Sequence, residues 1–314
     1  MPEIPDLTLY GEAILRFLKG DTLQRVRLKS PFLLRTVHPP VTSVQGKRLL
    51  AVSRIGKRLV LHMDDDLFLV FHLMIAGRLL WRRAGSPIPG KIGLAALDFG
   101  EGSLIVTEAG SKKRASLHLV QGSASLVQFD RGGMEVLESD LETFARALTR
   151  ENHTLKRALT DPRLFAGIGN SYSDEILHDA KLSPLTLSTR LADGEIERLY
   201  ESCRRVLERW ILTLRNENGD GFPERVTAFR DGMSVHGRYG EPCPVCATIV
   251  QRIVYVDNEC NYCPRCQTGG KILADRSLSR ILRGDWPRSI AELEELQSSM
   301  TLGKGTRSSR EKKR

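Results

Sequence analysis

The sequence predicts a multidomain α+β chain: an N-terminal helix leading into a β-sandwich, then a helical unit, then a short β-ribbon. Three observations predict it. Between residues 21 and 128, short strand-type runs follow one another, separated by turn residues, with no helical period between them. From 139 to 215 the apolar residues recur at helical spacing instead. Beyond them, Cys243-Pro-Val-Cys246 and Cys263-Pro-Arg-Cys266 repeat one tight turn on either side of a strand-type run.

The chain starts Met1-Pro2-Glu3-Ile4-Pro5-Asp6, and Pro5 with Asp6 suits the first turn of a helix. Leu7, Tyr10, Ala13, Ile14 and Phe17 keep helical spacing, and Gly20 ends the run. Pro2 is small enough for the initiator methionine to be trimmed, leaving a secondary amine at the head of a packed helix. Such an amine attacks an aldehyde-like carbon and forms an iminium ion. Glu3 beside it is a proton carrier. Proline after methionine is common, so on its own the stretch reads first as an ordinary processed N-terminus and only second as a nucleophile.

The strand-type runs are 24–28, 46–53, 58–63, 67–73, 77–81, 95–99, 103–108 and 115–120. Asp64-Asp65-Asp66, Gly100-Glu101-Gly102 and the stretch 85–90 separate them. Many short strands without intervening helices predict an antiparallel sandwich or flattened barrel. Lys57 opens a strand after Gly56, and Lys112-Lys113-Arg114 lies in a loop; each reads first as a solvated basic group and second as a phosphate contact. His72 reads as a core-facing histidine in need of a hydrogen-bond partner.

Gly132 and Gly133 mark a linker. Ser139 or Asp140 caps a helix through Leu141, Phe144, Ala145 and Leu148, with Leu155 and Leu159 after a break. Asp161-Pro162 is a further start signal. Gly167-Ile168-Gly169-Asn170 is a tight turn whose glycines admit another backbone and whose following amides suit a phosphate; an ordinary helix–helix turn reads the same way. Ser171 opens the next helix, to about 180, and a long helix spans about 193–215.

Sixteen residues separate Cys246 from Cys263, with a strand-type run at 248–256 between them. Cys243, Cys246, Cys263 and Cys266 therefore form a tetrahedral Zn²⁺ site, and four sulfurs leave no open position for a substrate, so the metal is structural. Cys203 and Cys260 read as free thiols. After 270 we expect a helix at 272–282, an acidic helix at 289–298 and a disordered basic tail. Residues 301–314 hold six basic residues against Glu311, a net +5.

With 314 residues, 41% hydrophobic and 27% charged, the chain reads as globular, and its net charge of +9 favours a polyanionic partner. No apolar run reaches the ~18 residues of a membrane span, and no secretory pattern opens the sequence. Clustered cysteines indicate a reducing compartment. These readings give a cytoplasmic, nucleoid-associated location and no membrane partner; we expect a monomer.

Four stretches in this order resemble the formamidopyrimidine-DNA glycosylase / endonuclease VIII family: Pro2-Glu3-Ile4-Pro5; Lys57 before its strand; Lys156 with the block from Leu164 to Glu175; and Gly237-Arg238-Tyr239-Gly240-Glu241-Pro242-Cys243 leading into the four cysteines. The resemblance runs from Pro2 to about Gly270. It implies an N-terminal β-sandwich (1–130), a helix–two-turn–helix unit (131–225) and a zinc finger (226–270), here followed by an extension (271–314). The activity implied is excision of damaged, chiefly oxidised, bases from DNA, with lyase cleavage of the strand. The resemblance assigns Pro2 as nucleophile and Glu3 as general acid/base. Lys57 falls near the active site, Lys156 and Asn170 bind phosphate, and Glu175 helps hold the N-terminal amine and the lesion. Met74 or Ile75 fills the gap left by the flipped base, and Arg238 contacts DNA.

Several positions depart from the family pattern. Asp6 stands where glutamate is usual, and His72-Leu73-Met74-Ile75 where His-Leu-Gly-Met is usual. No Arg/Phe wedge is recognisable near 111–117; Asn258 replaces an arginine and His236 a tyrosine. These positions grip DNA and choose lesions. Two other readings therefore stand beside the first: a same-fold lyase or glycosylase for abasic, bulky or cross-linked sites, and a non-catalytic zinc-ribbon protein that binds damaged DNA.

Overall fold

A computed structural model describes residues 1–256, 258–273 and 286–295. Helix α1 (Ile4–Leu18) is followed by nine strands, β1 (Thr22–Leu23), β2 (Arg25–Leu28), β3 (Lys47–Ile55), β4 (Arg58–Met63), β5 (Leu67–His72), β6 (Gly77–Arg82), β7 (Gly93–Asp98), β8 (Ser103–Glu108) and β9 (Ser116–Gln121). They form two antiparallel sheets, ordered β1-β3-β4-β5-β9 and β2-β7-β8-β6. The chain passes from one sheet to the other at Gln24, so the run expected at 24–28 is the strand β2, preceded by the separate short strand β1.

Side-chain alternation buries Leu59, Leu61, Leu69, Phe71, Leu117 and Leu119 of the first sheet against Leu79, Ala95, Leu97, Leu104 and Val106 of the second. The outer face of the first sheet is also apolar: Val60, Phe68, Val70 and Val120 lie under Phe129. This explains the near-continuous apolar runs of β4 and β5.

The second core belongs to α2 (Leu141–Thr149), α3 (Leu155–Thr160), α4 (Asn170–Asp179) and α5 (Asp193–Asn218). Helix α1 serves both cores. Leu7, Tyr10, Ile14 and Leu18 enter the sandwich, while Ile4 and Leu9 enter the helical core. Its N-terminus is thus fixed at the seam between them.

Asp161-Pro162 starts no helix. Leu164 and Phe165 donate to the Asp161 carbonyl for one turn, and the chain then pairs with Met134, which donates to Leu164 and accepts from Ala166. That pairing takes the groups a helix would have used.

The ribbon is β10 (Gln251–Val254) and β11 (Glu259–Tyr262), shorter than the run at 248–256, with α6 (Pro264–Thr268) after it. Ile272 is extended and donates to the Arg288 carbonyl, so the expected helix does not begin there; its remainder, 274–282, lies outside the described residues. Residues 290–295 are helical; 296–298 and the basic tail also lie outside. Among the described residues, no helix is long and apolar enough to cross a membrane.

Candidate active site

Glu3 is buried and caps α4. Its carboxylate accepts from the backbone N–H of Gly169 (2.6 Å), Ser171 (2.9 Å) and Tyr172 (3.3 Å). These are the free amides of a helix start, where a carboxylate also meets the positive end of the dipole. Ile4 N donates to the Gly167 carbonyl at 3.2 Å. Gly167 has φ of +80°, and a Cβ there would meet Ile4 and the Arg54 guanidinium at 2.6 Å. A Cβ on Gly169 would lie 2.5 Å from Glu3 Cδ and 2.6 Å from Lys57 Nζ. The two glycines therefore let the chain start and the Lys57 ammonium press onto the turn.

Lys57 is half-buried. Burial lowers its pKa, Glu3 works against that fall, and Lys156 adds to it. The N-terminal amine, carried by Met1, is lowered too. Burial is the main cause; Glu3 and Asp6 oppose it, and Arg78 and Lys57 add to it. Pro2, Glu3, Lys57 and Arg78 thus gather at the head of α1. Burial, with Arg58, Lys57 and His118 nearby, brings His72 down to about 4, so it is neutral near pH 7.

Helix α4 carries the remaining expected residues. Lys156 is buried, and its ammonium donates to the Asn170 carbonyl (2.7 Å), Ser173 Oγ (2.8 Å) and Asp174 Oδ1 (2.6 Å). All three N–H groups are taken, so Lys156 has none for a phosphate and instead secures the turn that holds Glu3. Glu175 accepts from the backbone N–H of Ser234, Val235 and His236 at 2.7–2.9 Å, which places its carboxylate on the segment entering the finger, not on the N-terminal amine. Asn170 Nδ2 donates to the Glu259 carbonyl at 2.8 Å.

Met74 turns through φ of +54° between β5 and β6, leaving Ile75 62% exposed at the tip and Met74 half-buried. Beside this tip, the loop bearing Lys112-Lys113-Arg114 closes on the buried Glu108 carboxylate, which accepts from Arg114 and Ala115 N–H groups. Arg238 pairs with Glu241 at 2.8 Å and donates to the Met233 and Pro242 carbonyls.

Sequence reasoning missed Asp174, which joins Lys156, His236 Nδ1 (2.8 Å) and Asn261 N (3.1 Å) at the centre of these contacts. It also missed the Arg230–Asp6 pair at 2.6 Å. Neither leaves a local signal, since the partners are far apart in the chain.

The sulfurs of Cys243, Cys246, Cys263 and Cys266 lie within 4.8 Å of one another, with close approaches of 3.4, 3.5 and 3.9 Å. Tetrahedral Zn–S bonds of about 2.3 Å imply sulfur separations of roughly 3.8 Å, so the set fits one zinc ion. His178 Nε2 lies 3.3 Å from Cys243 Sγ, tying α4 to the finger.

Three family models match in chain order: the formamidopyrimidine-DNA glycosylase N-terminal domain over residues 1–168, its H2TH domain over 133–217, and a zinc finger found in FPG and IleRS over 240–269. A formamidopyrimidine-DNA glycosylase of Heliobacterium modesticaldum is 30% identical over 280 residues, covering 85% of this chain and 100% of the relative. One from Chloroflexus aurantiacus is 32% identical over 278 residues, covering 85% and 98%. An uncharacterized formamidopyrimidine-DNA glycosylase-like protein of Mycobacterium tuberculosis is 40% identical over 151 residues, 48% of this chain and 94% of the relative. In structure, the chain is similar to Lactococcus lactis FPG bound to Fapy-dG DNA (TM-score 0.75, 24% identity, 85% of this chain and 100% of that one). It is equally similar to the same protein's complex with abasic-site DNA (TM-score 0.74, 24% identity, 85% and 99%).

Proposed function

The chain belongs to the formamidopyrimidine-DNA glycosylase family, and we propose that it removes damaged bases and cleaves the resulting abasic site through the amine of Pro2. It is a base-excision-repair DNA glycosylase with lyase activity, carrying one structural zinc. The observation that carries the Pro2 reading is the double anchoring of Glu3 and Ile4 on the turn at 167–169, which holds the chain start beside Lys57 and Arg78. In the untrimmed chain, burial, with Arg78 and Lys57, lowers the Met1 amine; a neutral amine at this place is the nucleophilic form.

Once Met1 is trimmed, the Pro2 nitrogen attacks C1′ of a flipped nucleotide. The new C1′–N bond forms as the glycosidic bond breaks, and the base leaves with the electron pair and a proton. The departing base takes the proton that the Pro2 nitrogen sheds; Glu3 has three of its roughly four lone-pair directions occupied, leaving one that takes a proton from water and passes it to O4′ as the sugar ring opens. The resulting iminium draws electrons from C2′. Loss of the C2′ proton then expels the 3′ phosphate, and a second elimination expels the 5′ phosphate.

In this reading Lys57 meets the phosphate beside the reacting sugar, and Asn170 offers the second N–H of its amide. Ile75, the exposed tip, fills the gap left by the base, with Met74 behind it. Arg238 reaches DNA by leaving Glu241, an exposed pair of small worth. Lys156 and Glu175 act by support, holding the turn and the finger entry. The zinc, when bound, fixes the ribbon and takes no part in the reaction. The protein acts as a monomer in the cytoplasm, at the nucleoid.

The test uses labelled oligonucleotides carrying 8-oxoguanine, a formamidopyrimidine, an oxidised pyrimidine or an abasic site, with borohydride added. A covalent adduct is expected with at least the abasic site. DNA binding without any adduct overturns the lyase reading and favours a non-catalytic damage binder. Adduct and cleavage with the abasic site alone favour the narrower lyase.

A further inference from the structure

Residues 219–232 leave α5 and cross back over the sandwich before entering the finger. Phe222 and Val226 sink into the sandwich core, Glu224 pairs with Arg82, and the Val226 carbonyl accepts from Arg78. Arg230 comes next, with only 10% of its side chain exposed, and its Nη2 donates to Asp6 Oδ1 at 2.6 Å. The other oxygen of that carboxylate, Oδ2, accepts from the Glu3 backbone N–H at 2.9 Å. One buried carboxylate therefore links a loop residue to the peptide bond that follows Pro2.

We propose that Arg230 is a positioning residue for the N-terminal nucleophile: through Asp6 it fixes the direction in which Pro2 presents its nitrogen. The inference rests on Pro2 being that nucleophile. Three contacts pin the chain start, and they are not equivalent. The Glu3 carboxylate and Ile4 N hold a side chain and the next residue. Asp6 alone holds Glu3 N, the atom bonded to the Pro2 carbonyl carbon. The pyrrolidine ring leaves a single backbone torsion between the Pro2 nitrogen and that amide. Fixing the amide plane confines the nitrogen to one arc.

Asp6 cannot do this unaided. Among the described residues Arg230 is the one ion-pair partner of Asp6, and a buried carboxylate stripped of such a partner is a stranded charge that relaxes by taking a proton or drawing in water. Burial raises the Asp6 carboxyl and Arg230 opposes that rise, while staying too enclosed to serve as a DNA contact. It also joins two things a substrate would meet together, the chain start and the loop strapped across the sandwich.

The experiment compares the intact protein with Arg230→Met, Arg230→Lys and the double variant Asp6→Asn/Arg230→Met. Two quantities are read: the single-turnover rate of borohydride trapping on an abasic-site oligonucleotide at saturating protein, and the affinity for an oligonucleotide with an uncleavable tetrahydrofuran site. A misplaced nucleophile predicts that Arg230→Met loses about tenfold or more in trapping rate while affinity stays within about twofold. Arg230→Lys keeps a charge and recovers most of the rate. The double variant has no stranded charge and keeps a side-chain oxygen for Glu3 N, but it lacks the guanidinium that fixes that oxygen, so its rate stays low. A wild-type rate in Arg230→Met overturns the inference. Rate and affinity falling together, or the double variant returning to the wild-type rate, overturn it as well. Failure of the unmodified protein to trap at all is a different result, which removes the Pro2 reading and this inference with it.

Discussion

The Glu3 carboxylate accepts a 2.6 Å hydrogen bond from Gly169 N, joining the third residue of the chain to the start of α4 across 166 positions of sequence. That contact is the hinge of the account. It turns the head of one helix into the cap of another and brings Lys57 to the same place.

Gly169→Ala should damage activity more than stability. The new Cβ meets Glu3 Cδ and Lys57 Nζ, both ends of side chains, and not backbone. The fold yields by moving those two groups, which are the ones proposed to act. We expect trapping on an abasic-site oligonucleotide to fall about a hundredfold, with a loss of about 1 kcal/mol in urea denaturation.

The pH profile follows from charge. Burial, then Arg78 and Lys57, lower the Met1 amine at the chain start, and a Pro2 amine in the same surroundings should trap below the ordinary α-amino range near 8. Lys57→Gln removes one positive neighbour, which makes protonation easier and raises the amine's pKa. The trapping midpoint should then move to higher pH by a few tenths of a unit, measured at fixed saturating protein.

Lys156→Met should cost about 3 kcal/mol or more, because it strands Asp174 in a site without solvent. Burial pushes the Asp174 carboxyl up, but Lys156 and His236 outweigh it and hold it below the usual carboxylate range. A depressed folded pKa contributes stability above the unfolded value near 4 and loses it as pH falls through the folded value. The stability gap between the variant and the intact protein should therefore be full at pH 7 and narrow below pH 4, as thermal denaturation can follow.

His178→Phe tests the tie between α4 and the finger. Hydrogen bonds that side chains behind a metal site make to its ligands are worth about ten- to a hundredfold in metal affinity. Zinc release to a chromogenic chelator should quicken by about tenfold, and the abasic-site trapping rate per zinc-loaded molecule should change little.

Much of this architecture was legible in the sequence. The strand runs, α1, α5 and the four cysteines are local patterns, set by period, turn residues and spacing, and they fall where expected. The exceptions are instructive. Asp161-Pro162 carries a sound start signal, yet Met134 competes successfully for its backbone groups. Lys156 and Glu175 were placed by resemblance as direct contacts. Their carboxylate and amide partners, Asp174 and the 234–236 segment, came from the fold. Asp6 and Arg230 are 224 residues apart, and neither has a neighbour in sequence that hints at the other.

The most direct measurement of the central claim locates the adduct. The protein is trapped on an abasic-site oligonucleotide with borohydride, the complex is digested, and the modified peptide is identified by mass spectrometry. The expected product is a tertiary-amine adduct on the Pro2 nitrogen, at an N-terminus from which Met1 has been removed. An adduct on Lys57, or active protein that still carries Met1, would contradict it.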